Sequence, residues 1–188
     1  RAPVPWLDTD GKLYDYLGRA RERGVKFDVG HGGGSFAFRN AVPAVAQGFW
    51  PDSISTDLHT LSMNMGMIDM PTTMSKFLAM GMPLREVVRR STVLPARMIN
   101  QPQLGHLSVG ALADVAAWRV MEGDFGFNDS DKGQLRGRRR LLCELTLLGG
   151  EVVWDWNGRT GTDYRKLAPD YGVRPGEVIV PPPGAGKR

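Results

Sequence analysis

The sequence predicts an α/β protein: a parallel sheet in its first half and an antiparallel β layer in its second. Three observations predict it. Between Val25 and Asp57, strand, helix and strand patterns follow one another in about 30 residues, the length of a βα repeat built on a parallel sheet. His31 and Asp57 stand at the C-terminal ends of those two strands, the edge that carries the chemistry in barrels and open α/β sheets. Beyond Asn100 the pattern turns to alternating apolar residues broken by Gly149-Gly150, a two-residue hairpin turn.

Taken in order, Arg1 to Thr9 read as a Pro-containing loop. Leu13 to Arg23 read as a surface helix ended by Gly24. Val25 to Gly30 form a short strand in which Val25, Phe27 and Val29 alternate with Lys26 and Asp28. Ser35 is placed to cap a helix that runs to Gly48, with a kink or a late start at Pro43. Asp52 to Asp57 form the next strand. A methionine-rich loop, Met63 to Met70, precedes two helices. Met74, Phe77 and Leu78 share one face of the first, which Gly81 ends. Pro83 opens the second, with Leu84, Val87, Val88 and Ser91 on one side. The methionines read as gap-filling core rather than a cofactor box. In the β layer, Leu141, Cys143, Leu145 and Leu147 alternate with Leu142, Glu144, Thr146 and Leu148, which predicts one buried face. From Arg159, Pro, Gly and charge dominate, and "PPPGAGKR" reads as a disordered tail.

Composition narrows the function classes. The 188 residues suit one domain or one and a half, and 41% apolar with 23% charged residues is ordinary for a globular chain. The net charge of +4 owes much to Arg136, Arg138, Arg139, Arg140, Lys187 and Arg188, read as solvated faces or a tail. No aromatic residues interleave with them, so no nucleic-acid partner is expected. Cys143, the only cysteine, cannot form an intrachain disulfide and reads as a small buried hydrophobe rather than a nucleophile. No apolar run reaches about 18 residues, so no membrane partner is expected. No signal peptide is visible, and a cytoplasmic location is expected.

The candidate chemistry centres on "FDVGHGGGSFAF". His31 lies among Gly30, Gly32, Gly33 and Gly34, which remove bulk and permit positive φ. A phosphate cradle is one reading, but the third glycine of a dinucleotide fingerprint and the Lys-Ser/Thr of a P-loop are both missing. A metal ligand or general base in an open pocket is a second reading, and a structural histidine in a tight turn is equally supported by spacing. Asp57, in "STDLH", is either a carboxylate facing the same point as His31 or a cap for the next segment. His59 lies on the side of Asp57 if the strand continues, and His106 reads as a turn residue.

"FDVGHGGGSFAF", "GFWPDSISTDLH", "PLREVVRRSTVLPARMI" and "GHLSVGALADVAAW" together resemble the C-terminal half of an amidohydrolase-superfamily protein. The resemblance is to the amidohydrolase/deacetylase branch, related to dihydroorotases and D-aminoacylases, and covers roughly Gly11 to Gly158. It implies the C-terminal part of a (β/α)8 TIM-type barrel followed by strands of a small β-sandwich. The expected divisions are 1–102 for the partial barrel, 103–158 for the sandwich part and 159–188 for a flexible tail.

The resemblance also implies one or two divalent metals, zinc first, with iron or manganese as alternatives. By position, His31 resembles a metal-ligating histidine. Asp57 resembles a metal-ligating aspartate that also handles the proton of the attacking water. The implied substrate is a small N-acyl or ester molecule, and a homo-oligomer is compatible with it. The family's His-x-His pair, carboxylated lysine and fifth-strand histidine have no counterpart here. Together with the start at "RAPVPWLD", without an initiator Met, this leads us to expect a fragment that begins just after the fifth strand, binds metal weakly and is inactive alone. The rival expectation is a non-catalytic truncated module serving assembly.

Overall fold

The computed structural model describes residues 6–63 and 66–176, so the readings of Arg1 to Pro5 and of "PPPGAGKR" lie outside the described residues. Contacts divide the chain into two units, Arg1–Trp156 and Asn157–Arg188. In the second unit the one described element is a single 3-10 turn, Tyr164–Lys166, whose preceding Asp163 accepts a hydrogen bond from the Arg165 amide.

In the first unit, helix α1 (Asp15–Glu22) ends before Gly24, which adopts a φ of 89°. Strand β1 (Asp28–Gly30) pairs in parallel with β2 (Ser53–Ser55), and α2 (Phe38–Ala46) forms the crossover between them. Both strands are shorter than the alternation suggested. The parallel pair puts Val29 opposite Ile54 and Gly30 opposite Ser55. Ser53 and Ser55 both donate side-chain hydrogen bonds to the Asp28 carboxylate, so that side of the pair is polar.

The predicted cap of α2 is corrected. Ser35 does not cap it; the helix starts at Phe38, whose amide donates to Asp129 Oδ2 at 2.8 Å, from 91 residues away in sequence. The carboxylate of Asp129 thus satisfies a helix-start N–H that no local side chain reaches.

Three helices follow: α3 (Met70–Ala79), α4 (Leu84–Ser91) and α5 (Val93–Met98). Asp69 caps α3 by accepting from the Thr72 amide at 2.7 Å. Residues 72–78 of α3 are all buried, so this helix has no solvent face, against the one-sided face read from Met74, Phe77 and Leu78. The third helix was not anticipated.

The antiparallel sheet has the order β3–β4–β5, with β3 (Val115–Asn128), β4 (Gln134–Leu148) and β5 (Glu151–Asp155). Gly149 and Gly150 turn from β4 to β5 with φ of 58° and 88°, the left-handed pair a two-residue hairpin requires. The expected clean alternation in β4 is absent. Register shifts lie between Ala117 and Trp118 and between Thr146 and Leu147, and Glu144 is buried while Cys143 is only half-buried. Arg119 holds the Glu144 carboxylate at 2.6 Å, which makes that burial tolerable.

The core lies between β1–β2, α3 and the sheet. Phe36, Ile54, Met74, Phe77, Val87, Phe127 and Leu141 pack into one cluster. Each fully buried side chain of this size contributes about 1.5–3 kcal/mol. Ser75 ties α3 to the sheet, accepting from the buried Leu141 amide at 2.9 Å. Met67, Met74 and Met82 are buried, as gap-filling core residues should be. A second cluster of Leu17, Ala44 and Phe49 seats α1, with Arg21 stacked 4.1 Å over the Phe49 ring.

Candidate functional site

Parallel pairing brings the ends of β1 and β2 together. Past the last strand pair, the Gly32 amide donates to the Thr56 carbonyl at 2.8 Å. His31 and Asp57 therefore flank one sheet edge, and their side chains go to different places.

Asp57 takes a φ of 52°, a left-handed conformation that Asp tolerates better than most residues. Its carboxylate is exposed and lies against the Gly32 backbone. A Cβ on Gly32 would sit 2.6 Å from Asp57 Oδ2, and Gly32 itself has a φ of 51°. Among the described residues the carboxylate has no hydrogen-bond or ion-pair partner, so it caps none of them. Gly34 has nothing within 4 Å of an added Cβ. Of these two glycines, only Gly32 is forced, and it makes room for Asp57 rather than for the imidazole.

His31 is fully buried, not open. Its ring stacks on Phe36 with centroids 4.6 Å apart. Nδ1 lies 2.9 Å from the Gly32 carbonyl and Nε2 lies 2.6 Å from Lys76 Nζ. A carbonyl only accepts, so Nδ1 carries the proton and Nε2 accepts from lysine. Burial is the first cause that holds the imidazole below its ordinary pKa of 6.5. The Gly32 carbonyl opposes it, and the Lys76 charge adds to it.

Lys76 is the residue that sequence reading missed. It is fully buried on α3 and hydrogen-bonds to three acceptors: His31 Nε2, the Gly66 carbonyl at 2.6 Å and the Asn128 carbonyl at 2.7 Å. Burial pushes it down to about 8, against the raising effect of Asp129. A single lysine inside "MPTTMSKFLA", otherwise apolar or small, was the available signal.

The β3–β4 turn holds the segment that follows the glycine loop. Asp129 Oδ1 accepts from the Asp131 and Gly133 amides at 2.9 and 2.6 Å. The Ser130 amide donates to the Phe36 carbonyl at 2.9 Å, and Ser130 Oγ accepts from the Phe36 amide at 3.2 Å. His59 is exposed, with Nδ1 accepting from the Leu61 amide at 3.3 Å. His106 Nδ1 accepts from the Ser108 amide in a turn.

The donor set can now be tested against the divalent metal that the resemblance implied. Asp57 fits, with a free, exposed carboxylate. His31, as oriented, does not, since both ring nitrogens are engaged. Among the described residues, no three His, Cys, Asp or Glu side chains gather as a metal site. No helix there is long and apolar enough to cross a membrane.

The model of the amidohydrolase family matches residues 33–139, more than half of the chain. The chain belongs to the amidohydrolase family. It is 38% identical over 144 residues to a deacetylase of Agrobacterium fabrum (strain C58), covering 77% of this chain and 35% of that protein. A deacetylase of Brucella anthropi is 37% identical, with 77% of this chain and 36% of the relative covered. The chain thus spans little more than a third of the length of these curated relatives. Among solved structures, it is similar to an adenine deaminase with TM-score 0.75, 30% identity, and 80% and 41% of the two chains covered. It is also similar to a dihydroorotase with TM-score 0.67, 38% identity, and 76% and 38% covered.

Proposed function

We propose that this amidohydrolase-family chain is part of a hydrolase that cleaves the amide bond of a small N-acyl molecule with water, esters being the secondary substrate class. Its β1–α2–β2 unit is read as part of a (β/α)8 barrel, and β3–β5 as part of a small β-sandwich. The observation that carries the reading is Asp57: an exposed carboxylate just past the C-terminal end of a parallel strand, without a partner among the described residues, in a chain whose curated relatives are deacetylases.

Asp57 is read as the general base. It takes a proton from the attacking water and returns it to the departing amine, so the same carboxylate serves both halves of the exchange. Its side chain is exposed to solvent, and Gly32 lets it lie close to the backbone. A divalent cation, zinc first, is part of the proposal for the whole protein, and Asp57 is the donor this chain would offer it.

The test is a chimera in which this chain replaces the matched 144 residues of the Agrobacterium relative. Release of amine from N-acetyl amino acids is the readout. Turnover by the chimera, with a loss of about 10²-fold or more on Asp57→Asn, supports the reading. A chimera that turns over equally well with Asp57→Asn would falsify the role of Asp57. A folded but inert chimera favours the second reading, a non-catalytic assembly module. The exposed Val152, Val153 and Trp154 on the edge strand β5 are the observation that keeps that reading in view.

A further inference from the structure

We propose that His31 and Lys76 form a buried positioning pair, in which the imidazole serves the loop that seats Asp57 and does not face a cation. The inference rests on the hydrolase reading only for what Asp57 does; the pair itself is a property of this chain.

An ammonium has three N–H bonds, and Lys76 finds three acceptors: the Gly66 carbonyl, the Asn128 carbonyl and His31 Nε2. The match is complete only if the imidazole is neutral with its proton on Nδ1, and Nδ1 has the Gly32 carbonyl as its acceptor. Each partner therefore fixes the state of the other. The three acceptors come from three parts of the chain: the loop after β1, the segment before α3 and the last residue of β3. Lys76 joins them at one atom.

The consequence runs onward through hydrogen bonds. Gly32, whose carbonyl receives the imidazole proton, donates its own amide to Thr56, and Thr56 precedes Asp57. The Asp57 carboxylate lies against the Gly32 backbone. Lys76, His31, Gly32 and Thr56 thus form a continuous line from the core to the candidate carboxylate. For Nε2 to take a cation, the ring would have to leave Lys76 and strand a buried ammonium one acceptor short, which a buried charge tolerates poorly. For Nδ1 to take one, the Gly32 link would have to break. The burial of the ring against Phe36 opposes both movements.

The test uses the 188-residue chain with ¹⁵N-labelled histidine. NMR should show His31 as one tautomer, protonated at Nδ1 and bare at Nε2. Lys76→Met should move the Nε2 resonance and speed exchange of the Gly32 amide by about tenfold or more, since the link from His31 to Lys76 is one of three charged-group hydrogen bonds lost. Zinc added to the wild-type chain should leave both His31 nitrogens in place. Three results would overturn the proposal: a proton on Nε2, a His31 spectrum unchanged by Lys76→Met, or a zinc-induced shift of Nε2 with release of Lys76. Should Lys76→Met fail to fold, seen as collapsed amide dispersion, the wild-type tautomer and the zinc titration decide alone. An inert chimera in the hydrolase assay would remove the reaction and leave these outcomes standing.

Discussion

Replacing Gly32 by Ala separates the two reasons for a glycine at that position. The first is conformational. Gly32 has a φ of 51°, where an L-residue loses about 1–2 kcal/mol. The second is contact: the new Cβ would lie 2.6 Å from Asp57 Oδ2. That oxygen ends an exposed side chain, so it can swing away, and the contact adds little to the stability cost. The expected loss is therefore about 1–2 kcal/mol, a factor of roughly 5–30 in the folded-to-unfolded ratio. With an m-value of about 2 kcal/mol/M, the urea midpoint should fall by about 0.5–1 M. Gly34→Ala is the control, because nothing lies within 4 Å of its added Cβ and its φ is not in the left-handed region. It should be neutral, or stabilising by about 0.4–1 kcal/mol through the unfolded chain. In an Asp57→Ala background, the Gly32→Ala cost should persist, since removing the carboxylate leaves φ unchanged. Equal midpoints for the Gly32 and Gly34 variants would show that the left-handed backbone at Gly32 carries no cost.

Other expected outcomes follow from the same contacts. Asp129→Ala removes the acceptor of the Phe38, Asp131 and Gly133 amides and should cost about 2–4 kcal/mol, read as a lower Tm and faster exchange at Phe38. Ser75→Ala leaves the buried Leu141 amide without its acceptor and should cost about 1–3 kcal/mol by urea denaturation. Stability should rise with pH in two windows. The folded chain holds His31 below its ordinary 6.5, so the unfolded chain binds more protons there and stability falls on acidification below about that pH. Lys76, pushed down to about 8 from 10.5, has the same sign: its contribution is full above 10.5 and is lost as pH falls towards 8. Urea midpoints between pH 5 and about 11 check both limbs; His31→Gln should flatten the acid one and Lys76→Met the alkaline one.

Local chemistry was legible in the sequence where one residue decides the backbone. Gly24 ends a helix, Gly149-Gly150 makes the hairpin, and the strand-helix-strand spacing gave the parallel pair. The positions of His31 and Asp57 at one sheet edge followed from that spacing. Their side chains did not, because the direction of an imidazole depends on its partner, and the partner lies 45 residues away on α3. Lys76 was hidden for a related reason. A helix period assigns each residue a face by assuming that one face meets water, and α3 is enclosed on all sides. The β4 alternation failed for a third reason: register shifts change which face a residue meets, and nothing in the run of leucines marks where they fall.

The remote cap of α2 also sets an order of events during synthesis. The Phe38 amide leaves the ribosome 91 residues before the carboxylate that receives it. At about 5–20 residues per second, the helix start waits roughly 5–20 s for its partner. Closing so long a loop costs entropy that only the finished β3–β4 hairpin can offset, so α2 should consolidate after that hairpin, late rather than as a nucleus. A nascent chain halted within β3 would carry the glycine loop, His31 and Asp57 complete in sequence, yet without the turn that organises the segment following them.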